Sequence, residues 1–282
     1  MPMKKKQRFG LIVFIILLIL FVLITYEPWN KGRRGMETSM APDAVPPVIQ
    51  LNWPSIRAAF PNTGNEDTLC NYLGFDLAYN EAYEQAAWVC YVLSREEIER
   101  GNVERSDDFR PDPNISTGSA SLDDYRKSGF DRGHIAPAAD MKWSEQAMSE
   151  SFYMTNMSPQ LGSFNRGVWK RLETQVREWA LEKDSLLVIS GPVLEEIDSL
   201  IGPNEVGVPP CYFKVLADLS PPDHSFIAFL LPHKASQASL FSFAVSVDSL
   251  EAFTGYDFFA SAPDQEVIRW LEQDLDTTLW AY

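Results

Sequence analysis

The stretch Gly129-Phe130-Asp131-Arg132-Gly133-His134-Ile135-Ala136-Pro137-Ala138-Ala139-Asp140 sets an acid, a cation, a glycine and a histidine side by side and then turns apolar. Asp131 can orient an imidazole ring, Arg132 can hold an anion, and Gly133 lets the backbone approach a ligand closely. The chain's other two histidines stand in plainer surroundings. His224 lies in a polar turn and His233 follows Pro232 just past a strand, so both read as surface residues. His134 is the candidate catalytic histidine.

A second cluster lies downstream. Phe152-Tyr153-Met154-Thr155-Asn156-Met157-Ser158-Pro159-Gln160 leads into Phe164-Asn165-Arg166-Gly167-Val168-Trp169-Lys170-Arg171-Leu172-Glu173. Val168, Trp169, Leu172, Val176 and Trp179 recur at three- and four-residue steps, which predicts an amphipathic helix over residues 165–181. Asn165 stands at its start. At about 100° per residue, Glu173 falls about 80° and Arg177 about 120° round from Asn165. The apolar stripe is centred near Asn165, so Glu173 and Arg177 lie on its borders, able to face a cleft while the helix packs. The plainer reading of the same pattern is an Asn cap with flanking charges.

Around these clusters the chain divides into three parts. Lys4, Lys5, Lys6 and Arg8 precede an apolar run, and Phe9 to Tyr26 supplies 18 residues, enough for a short membrane span. No small-residue cleavage site follows, so residues 1–26 read as an uncleaved signal anchor. Residues 27–66, with Pro28, Pro42, Pro46, Pro47, Pro54 and Pro61, read as a tether. Residues 67–282 read as one domain. Within it, strands are predicted at 87–93, 185–190 (stopped by Gly191-Pro192), 211–219 and 226–231. A loop is predicted at 101–124 and a short helix at 267–274. Strands and helices do not alternate, so the expected class is α+β. Cys70, Cys90 and Cys211 could supply one disulfide in an exported domain, but Cys90 and Cys211 sit in strand-like runs and read equally well as buried thiols.

Charge is the feature that resists a simple reading. The 282 residues carry a formal net charge of −15, which argues against a polyanionic ligand. The distribution is uneven. Residues 1–40 hold seven basic and two acidic residues, and the other 242 hold 17 and 37. Yet residues 95–177, which contain both clusters, hold 12 basic and 14 acidic residues. The acid is therefore concentrated away from the two clusters, and a narrow basic groove on an acidic body is expected.

The two clusters together resemble the DNA/RNA non-specific endonuclease family of the ββα-metal, or His-Me finger, superfamily, which includes endonuclease G and the bacterial sugar-non-specific nucleases. Asp131-Arg132-Gly133-His134, the Asn156 segment and the Asn165…Glu173 segment follow in the family's order and spacing, and weaker similarity covers most of residues 68–275. The resemblance implies a ββα-metal fold with a central, mostly antiparallel sheet flanked by helices. It implies His134 as general base, Asn165 as the direct ligand of a Mg²⁺ ion, and Glu173 holding that ion's waters. Asn156 would support the His134 region, while Arg132 and Arg177 would contact the phosphate. A further family arginine would be Arg105, with Arg110 as the alternative. It also implies cleavage of DNA, RNA or both to 5′-phosphate products, and a possible homodimer.

The chemistry is consistent. Mg²⁺ prefers oxygen ligands and keeps several waters, so one amide oxygen with a water-holding carboxylate suits it; Mn²⁺ or Ca²⁺ could take the same place. A neutral imidazole can remove a proton from water at physiological pH. No base-reading motif is visible, and phosphate contacts carry no sequence information. Two other readings remain open: a small-phosphodiester or nucleotide hydrolase, and a non-catalytic membrane-anchored binding domain. Localisation is expected at a membrane, with the large domain outside the cytoplasm, in the bacterial inner membrane or periplasm, or secreted if the signal is cleaved.

Overall fold

Strand β9 (Cys211–Asp218) is buried along its whole length because each of its faces carries a core. Tyr212 and Leu216 pack into one apolar cluster, and Phe213, Val215 and Ala217 into another. That period-2 division is what a central strand requires. The computed structural model describes residues 60–63, 67–220, 224–262 and 264–281.

Strand β9 sits in a seven-stranded sheet. Its partners are β1 (Thr68–Asn71), β2 (Asp76–Asn80), β3 (Gln85–Ser94), β6 (Ser185–Pro192), β10 (Ser225–Pro232) and β11 (Ala244–Val245). The spatial order is β1-β2-β3-β6-β9-β10-β11, and every neighbouring pair is antiparallel. The expected antiparallel sheet is therefore present, and the four predicted strands are β3, β6, β9 and β10. Strand β6 does not stop at Gly191-Pro192: Gly191 stays in register with Phe213 and Pro192 with Tyr212. A Cβ on Gly191 would lie 2.3 Å from the Ala87 carbonyl oxygen, so the glycine is there for a close strand approach.

Helices cover both faces. On one, α4 (Lys170–Glu182) buries Leu172, Val176 and Trp179. Its lead-in is a helical turn, Gly162–Phe164, followed by a π turn, Asn165–Trp169, in which Gly167 has non-helical dihedrals (φ −107°, ψ −112°). Trp179 stacks on Phe229 and donates its indole N–H to the Trp280 carbonyl at 2.7 Å. On the other face, α5 (Val247–Thr254) and α6 (Gln265–Gln273) pack Val247, Leu250, Ile268 and Leu271 against Trp88, Ile189 and Phe213. The predicted terminal helix is α6. Three short helices, α1 (Arg95–Arg100), α2 (Leu122–Tyr125) and α3 (Glu145–Glu150), complete the periphery; the predicted loop therefore ends in α2, whose Ser121 cap and Asp124 form a capping box.

Two further ribbons stand apart from the sheet: β7 (Ser199–Ile201) with β8 (Val206–Val208), and one that holds the first motif. Strand β4 (Asp131–His134) pairs antiparallel with β5 (Met157–Gln160), matching His134 with Met157 and Gly133 with Ser158. Gly133 does not make room for a ligand. A Cβ there would meet the Gln160 side chain at 2.2 Å, so the glycine is what lets β4 lie against β5.

The anchor expected over residues 1–26 and nearly all of the tether lie outside the described residues. Among the described residues no helix is long and apolar enough to cross a membrane. At the end of the tether, Phe60 packs on Trp88 (5.0 Å between ring centroids) and Asn62 forms a backbone bridge with Asp257. The three cysteines are buried thiols, with no disulfide among them.

Candidate active site

The ribbon decides which way the motif looks. Residues two apart share a strand face, so Arg132 and His134 project together while Asp131 projects the other way. Asp131 therefore does not orient the His134 ring. It accepts a hydrogen bond from Asn165 Nδ2 at 3.0 Å and pairs with Arg166, so the residue it holds is Asn165.

His134 is wedged edge-on against Phe152 (4.8 Å) and Phe109 (5.7 Å), and its Nε2 is buried without a hydrogen-bond partner. Burial, then the positive fields of Arg105 and Arg132, push its pKa down to about 3. Behind it, Asn156 is wholly buried. Its Oδ1 accepts from the Ala136 N–H (2.8 Å), and its Nδ2 donates to the Ala136 and Ser151 carbonyls (3.0 and 2.8 Å). Every polar atom of that amide is engaged in fixing the backbone just after His134. Asn156 thus stands behind the cleft and does not line it.

The cleft itself, about 260 Å³, is lined by Arg105, Arg132, His134, Asn165, Glu173 and Arg177, with Arg166 and Lys170 at the rim. Asn165 is not a helix cap. It opens the π turn with helical dihedrals of its own, and its side chain reaches across to β4. The π turn also displaces the uniform angular spacing from Asn165 to Glu173, because it adds a residue to one turn of helix. Such turns recur where helices carry functional groups.

Two charged residues that the sequence did not single out sit beneath this cleft. Asp140, which closes the first motif, is buried and pairs with Arg177 at 2.7 Å, while Tyr91 donates its hydroxyl to the other carboxylate oxygen at 2.8 Å. Lys214 is buried in the middle of β9, donates to Ser190 Oγ and lies 4.8 Å from the Trp169 ring centre. Burial raises the Glu173 carboxyl and lowers the Lys214 ammonium, and the attraction between the two opposes both shifts. The available signal was a lone lysine in the otherwise apolar run Cys211–Ala217.

Of the two candidate arginines before the first motif, Arg105 lines the cleft, its guanidinium 4.7 Å from the Phe152 ring centre and bonded to Asp107 at 2.6 Å. Arg110 is committed elsewhere, to Asp108, to Ser149 and over the Tyr153 ring. Arg132 lies 4.0 Å over the Phe109 ring. The cleft opens on one side into a depression of about 660 Å³ that adds Arg126, and on the other into one of about 310 Å³ that adds Arg171. Arg105, Arg126, Arg132, Arg166, Lys170, Arg171 and Arg177 thus follow one groove. His233, read as a surface residue, is half-buried and structural: its Nε2 accepts from the Leu161 N–H at 2.7 Å and its ring packs on Phe164 and Tyr212.

A histidine on a two-stranded ribbon, facing an amide and a carboxylate on the helix that follows, defines a ββα class of site. The sequence model of the DNA/RNA non-specific endonuclease family matches residues 54–265, and the chain belongs to that family. It is 35% identical over 248 residues to the human mitochondrial nuclease EXOG, covering 82% of this chain and 66% of that protein. It is 34% identical over 239 residues to a nuclease of Nostoc sp., covering 77% of this chain and 85% of the other. A solved structure of the EndoG/EndoGI complex superposes with a TM-score of 0.65 at 29% identity, over 70% of this chain and 87% of that one. The chain spans just under two thirds of the length of the human relative.

Proposed function

We propose that the protein is a metal-dependent, sequence-non-specific endonuclease that hydrolyses phosphodiester bonds of DNA, RNA or both, leaving 5′-phosphates. The observation that carries this reading is the single cleft that holds His134, Asn165 and Glu173 against a wall of arginines. A hard divalent ion fits the donor set: the Asn165 amide is held by Asp131 through its nitrogen, leaving its oxygen for the cleft, and Glu173 adds carboxylate oxygens. When bound there, Mg²⁺ would stabilise charge on the phosphate and on the departing 3′ oxygen.

The protein's own groups do the rest. Arg132 and Arg105 take the phosphate oxygens. The phosphate's negative charge offsets the field with which those two arginines depress His134, so the imidazole gains basicity when substrate is in place. His134 then removes the proton of the attacking water. Asp140 and Tyr91 keep Arg177 aimed along the cleft floor. Sequence-independent cleavage fits a groove in which guanidinium and ammonium groups outnumber Asp107, Asp131 and Glu178, because such groups grip backbone phosphates. Nicking of supercoiled plasmid by the wild type, abolished by EDTA and by His134→Ala, tests the reading. Undiminished nicking by His134→Ala would overturn it.

The basic-then-apolar pattern of residues 4–26 supports an uncleaved anchor with the nuclease domain, residues 67–282, outside the cytoplasm. Protease added to intact spheroplasts should then digest residues 41–282; protection until lysis would refute the orientation.

A further inference from the structure

The opposite face of the sheet carries a set of acidic groups that the nuclease reading does not use. Glu251 on α5, Asp257 in the following loop and Glu272 on α6 each offer a carboxylate oxygen, and the three oxygens lie within 4.8 Å of one another. Gly255, in the left-handed region at φ 70°, ends α5 and turns the chain so that Asp257 returns over it. Asp257 is fixed there by two backbone hydrogen bonds with Asn62, at 2.9 and 3.1 Å.

Glu272 is the informative member. It is only 7% exposed, and among the described residues it makes no hydrogen bond or ion pair. Its carboxylate points into the cluster instead. Arg269 on the same helix is exposed and donates to the Gln265 carbonyl. Glu251 accepts one hydrogen bond, from the Phe258 N–H at 2.8 Å, through one of its two oxygens. Asp248, one turn earlier on α5, adds to the negative field on Glu251 and Glu272. An unpaired carboxylate on a largely buried side chain, facing two more carboxylates, is costly unless a cation or protons join it.

We propose that Glu251, Asp257 and Glu272 form a second, structural cation site that takes Ca²⁺. The donors are all oxygen, which selects a hard cation. Three carboxylates gathered on one ion suit Ca²⁺, which takes about six to eight oxygens in flexible geometry, better than Mg²⁺, which keeps several waters and is usually held by one or two carboxylates. Asp257 is exposed and gives the ion a path in, while Glu272 closes the site from within. The ion would tie together α5, α6 and the loop that receives Asn62, none of which touches the nuclease cleft. The site does not rest on the nuclease reading, and its test does not depend on activity.

The test is Tb³⁺ luminescence titration and Ca²⁺-dependent thermal melting of the full chain after chelation, in four proteins: wild type, Asn165→Ala, Asp257→Asn and Glu272→Gln. The expected result is binding in the wild type and in Asn165→Ala, weakened by about 10–100-fold in Asp257→Asn and Glu272→Gln, as loss of a metal-site group brings. Ca²⁺ should displace Tb³⁺, and Mg²⁺ at tenfold higher concentration should not. Asp257 is exposed, so Asp257→Asn decides the matter if Glu272→Gln does not fold. Three results would each overturn the proposal: binding lost with Asn165→Ala alone, binding in Asp257→Asn within twofold of wild type, or equal displacement by Mg²⁺.

Discussion

The two faces of the central sheet treat buried acid in opposite ways. On the α4 face the carboxylates at the cleft each have a cation near them: Asp140 has Arg177, Asp131 has Arg166, and Glu173 has Lys214 within its field. On the α5–α6 face Glu251, Asp257 and Glu272 face one another, and none forms an ion pair among the described residues. The first arrangement is held in place by its own charges and can present an arginine or a carboxylate at a fixed angle. The second is placed by backbone hydrogen bonds and apolar packing and gathers like charge with no internal counter-ion. A net charge read from composition hides this contrast, because both faces contribute to the same negative total.

The largest effect expected on the α4 face is catalytic. His134→Ala should lower kcat by about 10²–10⁴-fold, the usual contribution of a general base, with an unchanged circular-dichroism spectrum. Next is the buried pair beneath the cleft. Asp140→Asn strands Arg177, which has 21% of its side chain exposed, and should destabilise the fold by about 3 kcal/mol, at the low end for such a break; urea unfolding measures it. If that variant unfolds like wild type, the pairing on this face is decorative and the contrast fails.

Acid sharpens the comparison further. His134 has a folded pKa of about 3 against an unfolded value near 6.5. Below pH 6.5 the unfolded chain takes up a proton that the folded one refuses, so stability falls with falling pH. His134→Asn should flatten that fall between about pH 6.5 and 4. The other face has the reverse sign. The carboxyl of Glu272 is raised to about 8 by burial and by its acidic neighbours. In chelated protein its contribution is present at low pH and lost as pH rises towards 8. Glu272→Gln should therefore raise Tm at pH 8 by a few degrees, roughly the effect of 1 kcal/mol, and leave it unchanged at pH 4. Melting curves of both variants across pH separate the two signs. The smallest effect is on salt dependence. Arg126→Ala, at the edge of the groove, should lower the slope of log affinity against log salt by about one, measured by fluorescence anisotropy on a short duplex in the absence of divalent cations.

Much of this was legible in the sequence, and for identifiable reasons. Strands β3, β6, β9 and β10 are apolar runs bounded by turn residues, and α4 carries a clean three-and-four spacing, so local pattern sufficed. Arg132, His134, Asn165 and Glu173 of the cleft fall within two motifs, Arg177 one helical turn beyond, and only Arg105 stands well apart in sequence. What escaped depends on long-range packing. Lys214 enters the site face only because β9 lies beside β6 under Trp169. Glu251, Asp257 and Glu272 are 21 residues apart at their extremes and meet through the turn at Gly255. Asp131 was paired with the wrong residue because strand alternation turns it away from His134. Gly133 answers to Gln160, a partner in β5 that no local pattern reveals. The π turn at Asn165 leaves no periodic trace, since the apolar stripe resumes on the far side of it.

The hydrogen bond from Trp179 to the Trp280 carbonyl has a consequence for how the protein is made. Helix α4, which carries Glu173 and Arg177, rests one of its largest side chains against a residue synthesised about a hundred positions later. A chain still leaving the ribosome has the helix and its ribbon but not the piece that seats them. The seat of the helix that carries Glu173 and Arg177 is therefore complete only once Trp280 has been made.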